Sequence, residues 1–75
     1  MRVFNLHRTE DESGVSGTGV VTEGVEFSDG TCVMRWLTSN KSTAFYNNIH
    51  ELVQIHGHEG RTVAVFDDGE VVSDI

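Results

Sequence analysis

No proline interrupts this chain, Cys32 is its one cysteine, and of its 5 basic residues only Lys41 is a lysine. Each scarcity excludes something. A lone thiol closes no intrachain disulfide and builds no multi-cysteine zinc cage, which points to a reducing cytoplasm. No apolar run approaches the ~20 residues that span a bilayer, and the N-terminus shows no signal-peptide pattern, so the expectation is a soluble, cytoplasmic protein without a membrane partner. Base is scarce against acid: 12 Asp and Glu stand against 5 Lys and Arg, a formal net charge of −7. That field repels DNA and RNA at moderate salt, so no nucleic-acid partner is expected. An acid-rich, lysine-poor surface suits a high-salt cytosol, where the repulsion is screened within a few ångströms; the other reading is an acidic patch for a basic protein partner.

With 75 residues and 37% hydrophobic composition, the chain makes one small domain over residues 1–75. A domain of this size buries only ~60% of its extended surface, which leaves a thin core and little room for a deep pocket.

Met1 to Arg8 reads as a strand with Phe4 and Leu6 on one face and Asn5 and His7 on the other. Residues 9–19, TEDESGVSGTG, lack periodicity and are rich in acid, glycine and serine, which predicts a loop. From Val20 to Leu37 two β-rich runs flank SDGT, and Asp29-Gly30 is a preferred type I′ hairpin dipeptide. If those two residues form the turn, Phe27 faces Cys32, Val25 faces Met34 and Glu23 faces Trp36 on the core side. Glu26 then opposes Val33 on the reverse face, within diagonal reach of Arg35.

Thr43 to Tyr46 predicts a short strand. Asn48 is a good N-cap with Glu51 at the capping-box position, and Ile49, Leu52, Val53 and His56 recur at helical spacing, so a helix spans about 49–56 with Gly57 as its left-handed cap. Thr62 to Phe66 and Glu70 to Ser73 flank Asp68-Gly69 as a second hairpin candidate, the alternative being a disordered C-terminal tail over about 70–75. The fold class is α+β, mostly antiparallel β: a small bent sheet or partly open, SH3-like barrel of about five short strands with one short helix.

The chemistry concentrates in Ile55 to Arg61, IHGHEGR. A metal pair on a helix needs i, i+3 or i, i+4 spacing, whereas His56 and His58 are two apart across a glycine. Zinc on His56 and His58 plus one further ligand is therefore the alternative reading. The leading one is structural, with His56 completing the apolar stripe and, when protonated, meeting the helix's negative end, and His58 bonding the last carbonyls. The glycine-rich stretch Ser13 to Gly19 leads into a strand, carries no lysine, and follows Glu10, Asp11 and Glu12, which repel phosphate. The same acids lack the alternating ligands of an EF-hand. Cys32, placed on the apolar face, keeps a high pKa and stays inert, so the chain is not expected to be an enzyme and needs no cofactor. Trp36, Phe4, Phe27, Phe45 and Phe66 read as core, and Tyr46 as an exposed ring.

The stretches FNLHRTEDESGVSGTGVV, FSDGTCVMRWLTSNKSTAFY and IHGHEGRT, with the segments S-G-x-S-G-T-G, F-x-D-G-T, R-W and I-H-G-H-x-G-x-T in order, resemble a family of small acidic proteins of haloarchaea, actinobacteria and some of their phages. The resemblance reaches about Val65, and the tail DDGEVVSDI departs from it. It implies a free-standing intracellular domain and carries no activity, substrate or catalytic residue.

These readings converge on a non-enzymatic interaction or adaptor module for a protein partner, itself a monomer or weak homodimer. Its expected surface is the acidic loop with Glu10, Asp11, Glu12 and Ser13, bordered by Arg35, Tyr46 and Arg61, because a long loop in a domain otherwise economical with connections suggests a binding role.

Overall fold

The computed structural model describes residues 1–9 and 19–75, so the expectations for Glu10, Asp11, Glu12 and Ser13 and most of the acidic loop lie outside the described residues. In chain order the elements are β1 (Arg2–Arg8), β2 (Gly19–Glu26), β3 (Cys32–Trp36), β4 (Thr43–Tyr46), α1 (Ile49–His56), β5 (Thr62–Phe66) and β6 (Val71–Val72). All neighbouring strands pair antiparallel, in one open six-stranded sheet of order β4-β3-β2-β1-β5-β6. The class is the expected one, realised as an open sheet of six strands whose edges are β4 and β6.

The helix forms where its signals place it. Asn48 is extended (φ −162°) and its side chain accepts from the Glu51 amide at 2.8 Å. Glu51 does not return a bond to the cap; its carboxylate meets the Asn47 amide group instead, at 3.3 Å. Ile49, Leu52 and Val53 are buried against Phe4, Leu6, Cys32, Met34, Ala64, Phe66 and Val72. Those residues all stand on one side of the sheet, so α1 covers one face only.

The first hairpin corrects the expected register. Its loop has three residues, Ser28-Asp29-Gly30, not two: the Phe27 amide donates to the Thr31 carbonyl at 2.8 Å and the Gly30 amide to the Phe27 carbonyl at 3.0 Å, with Gly30 at φ +91°. This is a tight turn followed by a left-handed glycine, and Asp29 fixes it by accepting from the Thr31 amide and hydroxyl at 3.0 and 2.6 Å. One extra loop residue slips the register by one and turns β2 over relative to β3. Gly24 now opposes Met34, Glu26 opposes Cys32 and Glu23 opposes Arg35. Cys32 and Met34 remain core, but Val25 and Phe27 move to the far face, where Phe27 is 42% exposed. The second hairpin repeats the device around Asp67-Asp68-Gly69, with Gly69 at φ +95° and Asp68 accepting from the Glu70 amide at 2.9 Å.

Gly24 is the residue that makes the observed register work. A Cβ there would lie 2.7–2.8 Å from the Cε atoms of Phe4, so the ring of Phe4 rests on bare backbone, tilted against Phe66 with centroids 5.5 Å apart. Two residues upstream, a β-bulge between Leu6 and His7 interrupts the β1–β2 ladder. Buried Thr22 compensates, its hydroxyl accepting from the Leu6 amide at 3.1 Å and its carbonyl from the Asn5 side chain at 2.9 Å. At the other end of β1, Arg2 joins both hairpins: it donates to Glu26 at 3.0 Å, to Asp68 at 3.0 Å and to Glu70 at 2.6 Å, with its guanidinium 3.8 Å above the Phe66 ring. These partners hold the guanidinium charged and depress the Asp68 carboxyl below its usual range, the latter chiefly through the Glu70 amide and then through Arg2.

Gly57 also departs from expectation. It is right-handed (φ −73°), its amide continuing the helix ladder to Val53 at 2.7 Å, and the left-handed turn falls on His58 (φ 50°), Glu59 (φ 58°) and Gly60 (φ +89°). Glycine is wanted at 57 for space: a Cβ would strike the Val53 carbonyl and come within 2.7 Å of the Asp74 carboxyl carbon. Asp74 in turn accepts from the Glu59 amide at 3.2 Å, so residues after β6 help to fix the turn.

Two substitutions test this reading. Gly24→Ala forces a methyl into the Phe4 ring and should cost about 1–3 kcal/mol, as overpacking does. Phe4→Leu in the same chain should recover part of that loss in urea unfolding, which a defect of backbone freedom at Gly24 would not allow. Glu59→Gly relieves a left-handed side chain and should stabilise by about 0.5–1 kcal/mol, read as a higher urea midpoint at unchanged slope.

Candidate functional site

Alternation along six strands gives the sheet a second face, opposite α1. Register aligns its side chains in rows. One row runs Phe45–Val33–Val25–Val3 across β4, β3, β2 and β1. The next runs Thr43–Arg35–Glu23–Asn5 and continues through Val65 to Val71 on β5 and β6. No described element packs on this face. Phe45 is 79% exposed and Val71 57%, and Val3 and Phe27 add to the same apolar surface. A shallow groove of about 350 Å³ crosses it, walled by Val3, Val25, Val33, Glu23, Arg35 and Thr43. Its floor is the backbone of Gly24 and Met34, whose side-chain positions lie on the core side.

The charges on this face differ from those of the chain as a whole. Glu23 and Arg35 sit opposite each other in register. The ion pairs among described residues are all made by Arg2 at the sheet's end, so neither Glu23 nor Arg35 is held in one. The face therefore combines a contiguous apolar surface with one carboxylate and one guanidinium at its centre.

The opposite face carries the aromatic cluster around His56. Its Nε2 lies 2.7 Å from the Tyr46 hydroxyl, and its ring stands edge-on to Trp36 and Tyr46 with centroids 5.2 and 5.7 Å away. In the tautomer protonated on Nδ1, Tyr46 donates to Nε2. Burial, helped by the charges of His58 and Arg8, pushes His56 below its ordinary pKa, so the fold favours the neutral ring and not the helix-capping imidazolium expected from sequence. Burial likewise raises the Tyr46 phenol and the Cys32 thiol.

The expected site residues are thus dispersed. Arg35 stands on the open face, whereas Tyr46, paired with Cys32, stands on the helix side with its ring in the cluster rather than in solvent. Arg61 lies on the turn between α1 and β5, away from both rows. His56 and His58 follow different courses, His56 into the aromatic cluster and His58 onto an exposed left-handed position. Among the described residues, no three His, Cys, Asp or Glu side chains gather as metal ligands. Phe27 and Phe45, read as core, are surface residues. The signal available for them was alternation, which fixes which residues share a face but not which face is covered.

The pattern of the Acb5 phage protein family matches residues 1–72. The chain belongs to the Acb5 phage protein family. The match spans both hairpins and reaches β6, past the Val65 limit of the resemblance read from sequence. No curated protein and no solved structure matches the chain.

The His56 pocket has a pH signature. Because the folded-state pKa lies below the ordinary value near 6.5, the unfolded chain binds the proton more readily, and the contribution of His56 is intact above that value and lost as pH falls below it. Urea midpoints should therefore drop between pH 7.5 and 5.5, with a smaller drop in His56→Gln. Trp36, the chain's one tryptophan, offers an emission readout of the same titration.

Proposed function

We propose that this protein is a non-enzymatic interaction module that binds a protein partner through the open face of its sheet. The observation that supports this best is the row Phe45–Val33–Val25–Val3, an apolar surface that no described element covers in a domain small enough to need every apolar contact it can make. The row's centre is rigid, because β1, β2 and β3 are each bonded on both sides within the sheet. A surface held this way is preorganised, and little order is lost when a partner covers it. The groove is broad and backbone-floored, suited to receiving side chains of a protein surface. Buried Cys32, with its raised pKa, is shielded from acting as a nucleophile.

This reading moves the recognition surface from the acidic loop to the sheet, and the two locations separate cleanly. Phe45→Glu changes a side chain that makes little contact within the fold, so circular dichroism and the urea midpoint should be preserved, while partner capture by the immobilised protein should fall at least about tenfold. Deleting residues 10–17 should leave capture in place. Capture that survives Phe45→Glu but vanishes with the deletion would return the function to the loop.

A further inference from the structure

We propose that the open face is covered by the same face of a second copy of this chain, in a weak twofold dimer. The inference rests on the interaction-module reading and names the occupant. Charge is the first argument. The chain carries −7, yet in the two central rows of this face the described charged side chains are one carboxylate, Glu23, and one guanidinium, Arg35. The other described acids stand elsewhere: Glu26, Asp68 and Glu70 around Arg2, Asp29 and Asp67 in the hairpin turns, and Glu51, Glu59 and Asp74 near α1. A strongly basic partner would find little to hold on a face that is neutral in sum, whereas an equally neutral, apolar face suits it.

Symmetry is the second argument. A twofold axis lying in the face, parallel to the strands and between β2 and β3, sets Arg35 over Glu23 of the second copy and Glu23 over its Arg35. The same rotation lays Phe45 over Val3 and Val33 over Val25, so one operation satisfies both rows. The result is a sandwich of two sheets with the helices outside, an arrangement that aligned sheets adopt readily. Four strands about 4.8 Å apart and roughly five residues long overlap in it, on the order of 300 Å² of flat area per copy. That is well short of the ~800 Å² per partner of a stable complex, so the dimer is weak, with a dissociation constant on the order of 100 µM.

The test is sedimentation equilibrium of the full chain from about 10 µM to 1 mM, a range chosen to bracket that affinity. The native chain should self-associate, Phe45→Glu should remain monomeric, and Glu23→Arg and Arg35→Glu should each weaken association about tenfold or more. Mixing the two charge variants in equal amounts should restore it. In the mixed pair both crossed contacts are again opposite in sign, while each chain's own neighbours stay as they were, so the rescue cannot come from repair of folding. A native chain that stays monomeric throughout, or a mixture no tighter than its components, overturns the dimer; the second outcome would also be that of pairing along the β4 edge. If self-association is absent but Phe45-dependent capture of another protein persists, the interaction reading stands with a different occupant. If both are absent, both readings fall.

Discussion

The sheet is held to one register by the ring of Phe4 lying on the bare backbone of Gly24. β1 runs through the middle of the sheet, bonded to β2 on one side and β5 on the other, so any slip at this contact would be transmitted to every other strand. The neighbouring bulge is secured by Thr22, and the far end of β1 by Arg2, which spans the two hairpin tips. Central strand, close-fitting ring and terminal guanidinium therefore act together, and the two faces of the sheet take their identities from them.

Those faces are treated unequally. One eight-residue helix, packed chiefly on β4, β5 and β6, serves a sheet of six strands, and it reaches only the side that bears Phe4, Met34 and Phe66. The other side leaves Val3, Val71 and Phe45 exposed and Val25 and Val33 half-buried, with charge balanced locally between Glu23 and Arg35. A thin domain whose described elements leave one sheet face without a covering layer forgoes apolar burial it could use, which is why the face, and not the turn at IHGHEGR, is the natural place to look for recognition.

Much of the fold was legible in the sequence. The helix signals, Asn48 as cap and the stripe through His56, locate α1 to the residue, and both Asp-Gly dipeptides mark real turns. What could not be read was the number of residues in each turn. Asp29-Gly30 serves a two-residue loop and a three-residue loop equally well, and the difference of one residue exchanges the inside and outside of β2, sending Val25 and Phe27 to the surface and Gly24 to the core. The open face was hidden for the same reason, since its residues are ordinary strand residues whose exposure depends on where the one described helix lands. Gly57 shows a second limit. Its place after the helix suggested a left-handed cap, but the constraint is the crowding of Val53 and Asp74, and the left-handed conformations fall on His58, a type enriched there, and on Glu59, which gives no such signal. The pair of histidines in IHGHEGR is thereby split between an aromatic cluster and a turn.

The place of β1 bears on how the core is closed. From Phe4 to Arg8, β1 is bonded to the strand that begins at Thr62, and β6 pairs in turn with that strand. The β2–β3–β4 meander is built from neighbouring segments, whereas Phe4 and Leu6 meet Phe66 and Ala64 only across most of the sequence between β1 and β5. Closing the core therefore costs the entropy of a long loop, and contacts of such sequence separation form more slowly than the local hairpins.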